Sequence, residues 1–230
     1  MTILIQARMS SKRLPGKVLK KVNGIPVLFY LIQRLKISKK IEDIIVLTSN
    51  DQSDNSIYEF CDEKKIKCLR GPLKDVSKRF ILAIEKYNLS SFVRICGDSP
   101  LLDYKIIEKG IKIYHENKLD IVTNIFPRSY PMGQSIEVIN ARTFSGAYNK
   151  FNDKKDFEHV TGFFYDNYTR YKILNFEDIY YRNNYRLVID TNEDFYNFKK
   201  IIDCLESDYT NYDVNELIRL IEENNIKCII

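Results

Sequence analysis

Five short apolar runs, Ile3–Ala7, Ile44–Ser49, Lys67–Arg70, Phe92–Gly97 and Asp120–Ile125, alternate with four longer amphipathic stretches, Val27–Lys36, Asp54–Lys64, Val76–Tyr87 and Tyr104–Asn117. The short runs have the length of buried strands and the longer ones the period of helices. An alternating β-α order leaves few architectures, because each helix must cross back over a shared sheet. The expected fold class is α/β, a doubly wound, mixed and mostly parallel sheet flanked by helices. Gln134–Asn140 and Tyr185–Asp190 read as further strands and Lys172–Phe176 as a weaker one; helices are expected at Ala141–Tyr148, Asp156–Asn167, Glu193–Leu205 and Val214–Glu223. Consecutive strands without a helix between them predict antiparallel members in this second half. Pro127–Gly133 reads as a loop, and no linker divides the chain, so residues 1–230 are expected to form one domain.

Charge is distributed unevenly over this frame. The first forty-one residues hold ten Lys or Arg and no Asp or Glu, six of the ten within Gln6–Lys21, whereas the remainder carries 26 basic and 31 acidic side chains. A local excess suits a compact polyanionic ligand better than a nucleic-acid surface, which draws on a whole basic face. A solvated basic face is the alternative. Arg8, Lys12, Arg13 and Lys17 fall just after the first strand, at the sheet edge where α/β proteins bind ligands.

Hydrophobic content of 44% and charged content of 29% are those of a soluble globular chain, and no apolar run approaches the ~20 residues of a membrane span. The N-terminal apolar run is too short for a signal peptide, so a cytoplasmic protein without membrane partners is expected. Cys61, Cys68, Cys96, Cys204 and Cys228 are scattered and only two histidines accompany them, which reads as reduced thiols without structural zinc. Asp54, Asp75 and Asp103 sit at helix starts, where a carboxylate can cap free N–H groups.

A basic loop after a first strand raises nucleotide binding, yet neither G-x-G-x-x-G nor G-x-x-x-x-G-K-[ST] occurs. Side chains rather than a glycine cradle must then hold phosphates, with Pro15-Gly16 supplying the turn before Lys17. Five segments taken together, Gln6–Leu19 (with A-R-x-x-S-x-R-L-P-G-K), Arg70–Arg79, Val93–Asp103 (with G-D-x-P-L), Glu158–Thr161 and Asp190–Asp194, resemble the cytidylyltransferases of the spore-coat-polysaccharide branch. The chain is similar also to 3-deoxy-manno-octulosonate cytidylyltransferase and CMP-sialate synthetase. The resemblance runs from Ile3 to about Leu205 and implies a Rossmann-like fold of the nucleotide-diphospho-sugar transferase type.

The resemblance implies that Ala7, Arg8, Ser11, Arg13 and Lys17 hold CTP through its triphosphate, that Arg70, Gly71, Asp75 and Arg79 lie against cytosine and ribose, and that Asp98 and Asp190 bind Mg²⁺. Arg8, Lys17, Asp98 and Asp190 would then carry the catalysis. A Mg²⁺ held by one or two carboxylates keeps its other positions for phosphate and water, which agrees with such a pair. Asp98 is alternatively a turn cap before Pro100, Asp190 the N-cap of the next helix with Glu193 completing a capping box, and Asp75 a helix cap paired with Arg79. Arg128, Tyr130, Gln134, Glu137 and His159 would meet an anionic acceptor; His159 is alternatively a satisfied, partly buried histidine. Two positions depart from the family: Ser135 stands where the branch has an acidic residue, and Phe157 where an Arg commonly precedes Glu-His-Val-Thr. A sugar-nucleotide glycosyltransferase is the rival enzyme, but the chain has no D-x-D, and docking of RNA or an anionic membrane leaves the acidic cluster unexplained. A homodimer stays open.

Overall fold

The computed structural model describes residues 1–206 and 208–229; the single-domain expectation extends to Ser207 and Ile230, which lie outside the described residues. A seven-stranded sheet is built from β1 (Thr2–Gln6), β4 (Asp43–Ser49), β5 (Lys67–Gly71), β6 (Ser91–Cys96), β7 (Ile121–Thr123), β8 (Glu137–Asn140) and β9 (Ile173–Asn175), in the order β5-β4-β1-β6-β8-β7-β9. A two-stranded ribbon, β2 (Lys21–Val22) and β3 (Ile25–Pro26), follows the basic loop. β5, β4, β1 and β6 run parallel, β8 is antiparallel to both β6 and β7, and β9 is parallel to β7.

Successive strand residues point to opposite faces, so two cores form. Ile3, Ile5, Val46, Val93, Ile95 and Val138 pack with α1 (Val27–Leu35), α2 (Asn55–Glu63), α4 (Tyr104–Glu116), α8 (Asn192–Asp203) and α9 (Val214–Glu223). Leu4, Ile45, Leu47, Leu69, Phe92 and Ile139 pack with α3 (Val76–Tyr87), α5 (Ala141–Tyr148) and α7 (Gly162–Asp166). Burial on both faces explains why the N-terminal strands read as continuous apolar runs. Among the described residues no helix is long and apolar enough to cross a membrane.

Two expected elements take a different form. Tyr185–Asp190 forms no ladder and bends at Val188: Tyr185 bridges Ile229, Arg186 bridges Met132, and the amides of Leu187 and Ile189 donate to the carbonyls of Met132 (2.7 Å) and Asp98 (2.9 Å). Its bonds are shared among three segments rather than given to one neighbour. Gly133 makes the approach possible, since a Cβ there would lie 2.6 Å from the Leu187 carbonyl carbon and its φ is +94°. The expected helix Asp156–Asn167 breaks into α6 (Lys154–His159) and α7 at Val160, whose φ of 61° and ψ of −58° form a γ-turn closed by Thr161 N–H on the His159 carbonyl at 2.6 Å. A fully buried β-branched residue in this conformation is strained, and such strain concentrates at functional sites.

Candidate active site

A cleft of about 380 Å³ opens at the carboxyl edge of β1 and β6, lined by the loop after β1, the start of α3, the end of β6 and the α6–α7 junction. The loop is shaped by main-chain bonds: the Met9 carbonyl accepts from Ser11 N–H at 2.9 Å and Gly16 N–H at 2.8 Å, and Gly16 (φ +70°) reverses the chain into a single turn, Lys17–Leu19, that buries Val18. Lys17 thereby enters the cleft almost wholly buried, and its Nζ donates to Asp98 Oδ2 at 2.6 Å and Asp190 Oδ1 at 2.7 Å. Asp190 Oδ2 meets Arg13 at 2.8 Å and Arg186 at 3.1 Å. Burial alone would lower the Lys17 ammonium, but Asp98 and Asp190 outweigh it and lift it above the usual lysine value. Burial likewise opposes ionisation of Asp190, and the hydrogen bond and charge of Lys17, with Arg13 and Arg186, hold it below the usual carboxylate range.

Deeper along β6, Arg94 lies opposite Glu137 of the antiparallel β8 and forms an ion pair with it, while also bonding Gln6 Oε1 (3.0 Å) and Thr161 Oγ1 (3.3 Å). Glu137, only 2% exposed, also accepts from the Tyr165 hydroxyl. Burial works against the Arg94 charge, but Glu137 overrides it and raises its pKa. Burial pushes the neighbouring Cys96 thiol up to about 11, so it stands as a neutral wall. Arg8, at 3.4 Å from Glu158, forms an exposed pair worth little to stability and free to exchange for a ligand. The cations Arg8, Lys12, Arg13, Lys17, Arg79 and Arg94 outnumber the acids of the cleft, so its field favours a polyanion.

Comparison with known proteins decides the family: the cytidylyltransferase family model matches residues 2–226. The chain belongs to the cytidylyltransferases. It is 35% identical to an uncharacterised Methanocaldococcus jannaschii protein, MJ1063, over 96% of this chain and 90% of that one. It is 28% identical to the Bacillus subtilis spore coat polysaccharide biosynthesis protein SpsF, over 96% and 93% respectively. A solved cytidylyltransferase from Leptospira borgpetersenii superposes with a TM-score of 0.91 at 30% identity, covering 97% of this chain and 94% of that one. The mixed, mostly parallel sheet expected from the sequence is the sheet this structural neighbour shares.

This cytidylyltransferase brings together Ala7, Arg8, Ser11, Arg13, Lys17, Arg79, Asp98, His159 and Asp190 in the one cleft. Other expected site residues lie outside its lining. Arg70 turns away, donating to the carbonyls of Ser49 (2.8 Å) and Asp51 (2.9 Å) beside the Tyr58 ring. The carbonyl of Gly71 holds the Asn50 amide at 2.7 Å. Asp75 caps α3 on Lys78 N–H at 2.7 Å and accepts from the Tyr148 hydroxyl, while Arg79 binds the Pro72 and Leu73 carbonyls (2.8 and 2.9 Å), so the alternative Asp75–Arg79 pair is not formed. Tyr130 is buried against Phe176, with its hydroxyl 3.3 Å from Lys109. Gln134 is fully buried and spends its amide on Leu101 O and Asp103 N–H (2.8 and 2.9 Å). Arg128 donates to Ser135 Oγ at 2.9 Å, and burial lowers its pKa.

The alternative structural roles of the two acids do not appear. Among the described bonds the Asp98 side chain caps no turn, and α8 is capped by Thr191 in a capping box with Asp194, not by Asp190 with Glu193. Sequence reasoning passed over Arg94 as a site residue, although a lone arginine inside the apolar run Phe92–Cys96 signals a buried partner. It also read Asp54 as a helix cap, a bond its side chain does not make.

Proposed function

We propose that this cytidylyltransferase transfers CMP from CTP to an oxygen of an anionic sugar acceptor, releasing pyrophosphate, in the assembly of a surface polysaccharide. The observation that carries the reading is Lys17 held between Asp98 and Asp190 at the mouth of the basic loop. Two carboxylates that converge on one ammonium are placed to share one cation, and they are the residues that would hold Mg²⁺. Mg²⁺ bound there would neutralise phosphate charge and orient the α-phosphate.

The chain's own groups do the rest by position and charge. Arg8, Ser11 and Arg13 hold the β- and γ-phosphates, and Lys17 moves from the carboxylates to the triphosphate, where it stabilises charge growing on pyrophosphate as the bond from the α-phosphorus to the bridging oxygen breaks. The new bond forms in line from the acceptor oxygen, whose proton passes to solvent water. Base and ribose recognition is assigned to the Arg70–Arg79 segment, from which Arg79 reaches the cleft. The acceptor end is assigned to Arg94, Glu158 and His159, backed by Arg128, which has a neutral hydroxyl rather than a carboxylate as its bonded partner. The experiment is pyrophosphate release from each nucleoside triphosphate with Mg²⁺ and a panel of anionic sugars. Release is expected with CTP and at least one ulosonic or uronic acid; none with any pair would reject the reading.

A further inference from the structure

Asp54 is completely buried and stands directly before α2, yet it caps nothing there. Both of its oxygens face the other way. Oδ1 accepts from Met9 N–H at 2.7 Å, and Oδ2 accepts from Ser49 N–H at 3.0 Å and from the Ser49 hydroxyl. Met9 is the residue whose carbonyl closes the basic loop on Ser11 and Gly16. One residue, Met9, is thus held at its N–H by a buried carboxylate from the connection between β4 and α2 and at its C=O by the loop that carries Arg8, Ser11, Arg13 and Lys17. Burying a carboxylate without a bonded cation is costly unless hydrogen bonds to the charge offset it. Its bonds point to the loop rather than to the helix, since neither oxygen takes an N–H of α2 and one takes the Met9 amide. Asp54 also stands near Arg79, whose charge it favours against burial and the like charge of Arg8.

We propose that Asp54 is a positioning residue of the transfer reaction: through the Met9 amide it holds the anion-binding loop in the shape that receives the triphosphate. The inference rests on the reading of that loop as the triphosphate site. Asp54→Asn keeps the shape but presents an amide where two donors and one loop N–H need acceptors. Affinity for CTP and for pyrophosphate, measured by calorimetry, should fall at least ~10-fold, the scale of one lost hydrogen bond to a charged group. Turnover at saturating CTP should fall by a smaller factor than CTP affinity, since Lys17 on the same loop also serves the breaking bond, and the acceptor KM should not move. Ser49→Ala is the control, since it removes a hydroxyl from the same carboxylate but leaves the Met9 bond; it should lower stability and keep CTP affinity.

A folded Asp54→Asn protein with unchanged CTP affinity, or one that loses affinity no more than Ser49→Ala, overturns the inference while leaving the function standing. A wild-type chain that binds neither CTP nor pyrophosphate overturns both. Hydrogen exchange of the nucleotide-free wild-type protein supplies a second measurement if Asp54→Asn does not fold: the Met9 amide should be protected, and fast exchange there sinks the proposal.

Discussion

At the scale of single residues the site is an arrangement of charges that satisfy one another. Lys17 bridges two carboxylates, and Asp190 takes three cations on its two oxygens. Asp98→Asn keeps the shape of the side chain and removes its charge, so the protein should remain folded by circular dichroism while turnover falls at least ~100-fold, the scale of losing one strong electrostatic stabiliser. Retained turnover would leave Asp98 with no part in the chemistry. Glu193 and Asp190 make a sharper comparison. Glu193 is exposed in the first turn of α8, where a carboxylate is worth about 0.3–1 kcal/mol against the helix dipole, so Glu193→Gln should cost that much stability and little activity. Asp190→Asn should weaken the Mg²⁺ dependence of turnover; a dead Glu193→Gln enzyme beside an active Asp190→Asn one would reverse the assignment.

At the scale of elements the second carboxylate depends on a segment that is not a regular strand. Tyr185–Asp190 reaches Asp98 because Ile189 N–H binds the Asp98 carbonyl, and it runs beside Met132–Gly133 because Gly133 has no side chain. Gly133→Ala would push a Cβ into the Leu187 carbonyl at a positive φ, and the strain should cost roughly 2–4 kcal/mol. In a chain of this size that is a fall in thermal midpoint of roughly 5–15 °C by scanning calorimetry. Gly146→Ala is the counter-test. Gly146 is exposed within α5 with nothing near its missing Cβ, so the same change there should be neutral or raise stability by up to about 1 kcal/mol. Equal effects at the two positions would show that close approach at Gly133 is not what matters.

At the scale of the whole molecule the basic N-terminus meets acids from far along the chain, and the balance of the cleft is positive before any ligand arrives. The triphosphate should therefore supply most of the nucleotide affinity: calorimetry should rank CTP far above cytidine, with a gap that narrows as salt rises, and equal affinities would remove the basic loop from the site. The same balance predicts an order of binding. With Lys17, Arg13 and Arg186 already on Asp98 and Asp190, Mn²⁺ followed by electron paramagnetic resonance should bind weakly to the free protein and tightly once CTP draws Lys17 away. Lys17→Met should bind Mn²⁺ without nucleotide; failure to do so in a folded variant would show that Lys17 does not guard the carboxylates.

Apolar periodicity, turn residues and charge placement are local properties, and they determined the alternation of strands and helices, the α/β class and the position of the basic loop after β1. Val76–Tyr87, Ala141–Tyr148 and Val214–Glu223 begin and end where their patterns predict. The motifs around Arg8–Lys17, Gly97-Asp98 and Asp190 carried the resemblance to the cytidylyltransferases, and it was that resemblance that implied one nucleotide site. What the pattern does not carry is which partner a side chain meets across the fold. The break at Val160, the ladderless path of Tyr185–Asp190, the Arg94–Glu137 pair across β6 and β8, and the turn of Asp54 towards Met9 depend on neighbours supplied by other strands. Lys17 finds Asp98 81 positions later and Asp190 173 positions later, and only the order of strands in the sheet brings those separations to hydrogen-bond distance.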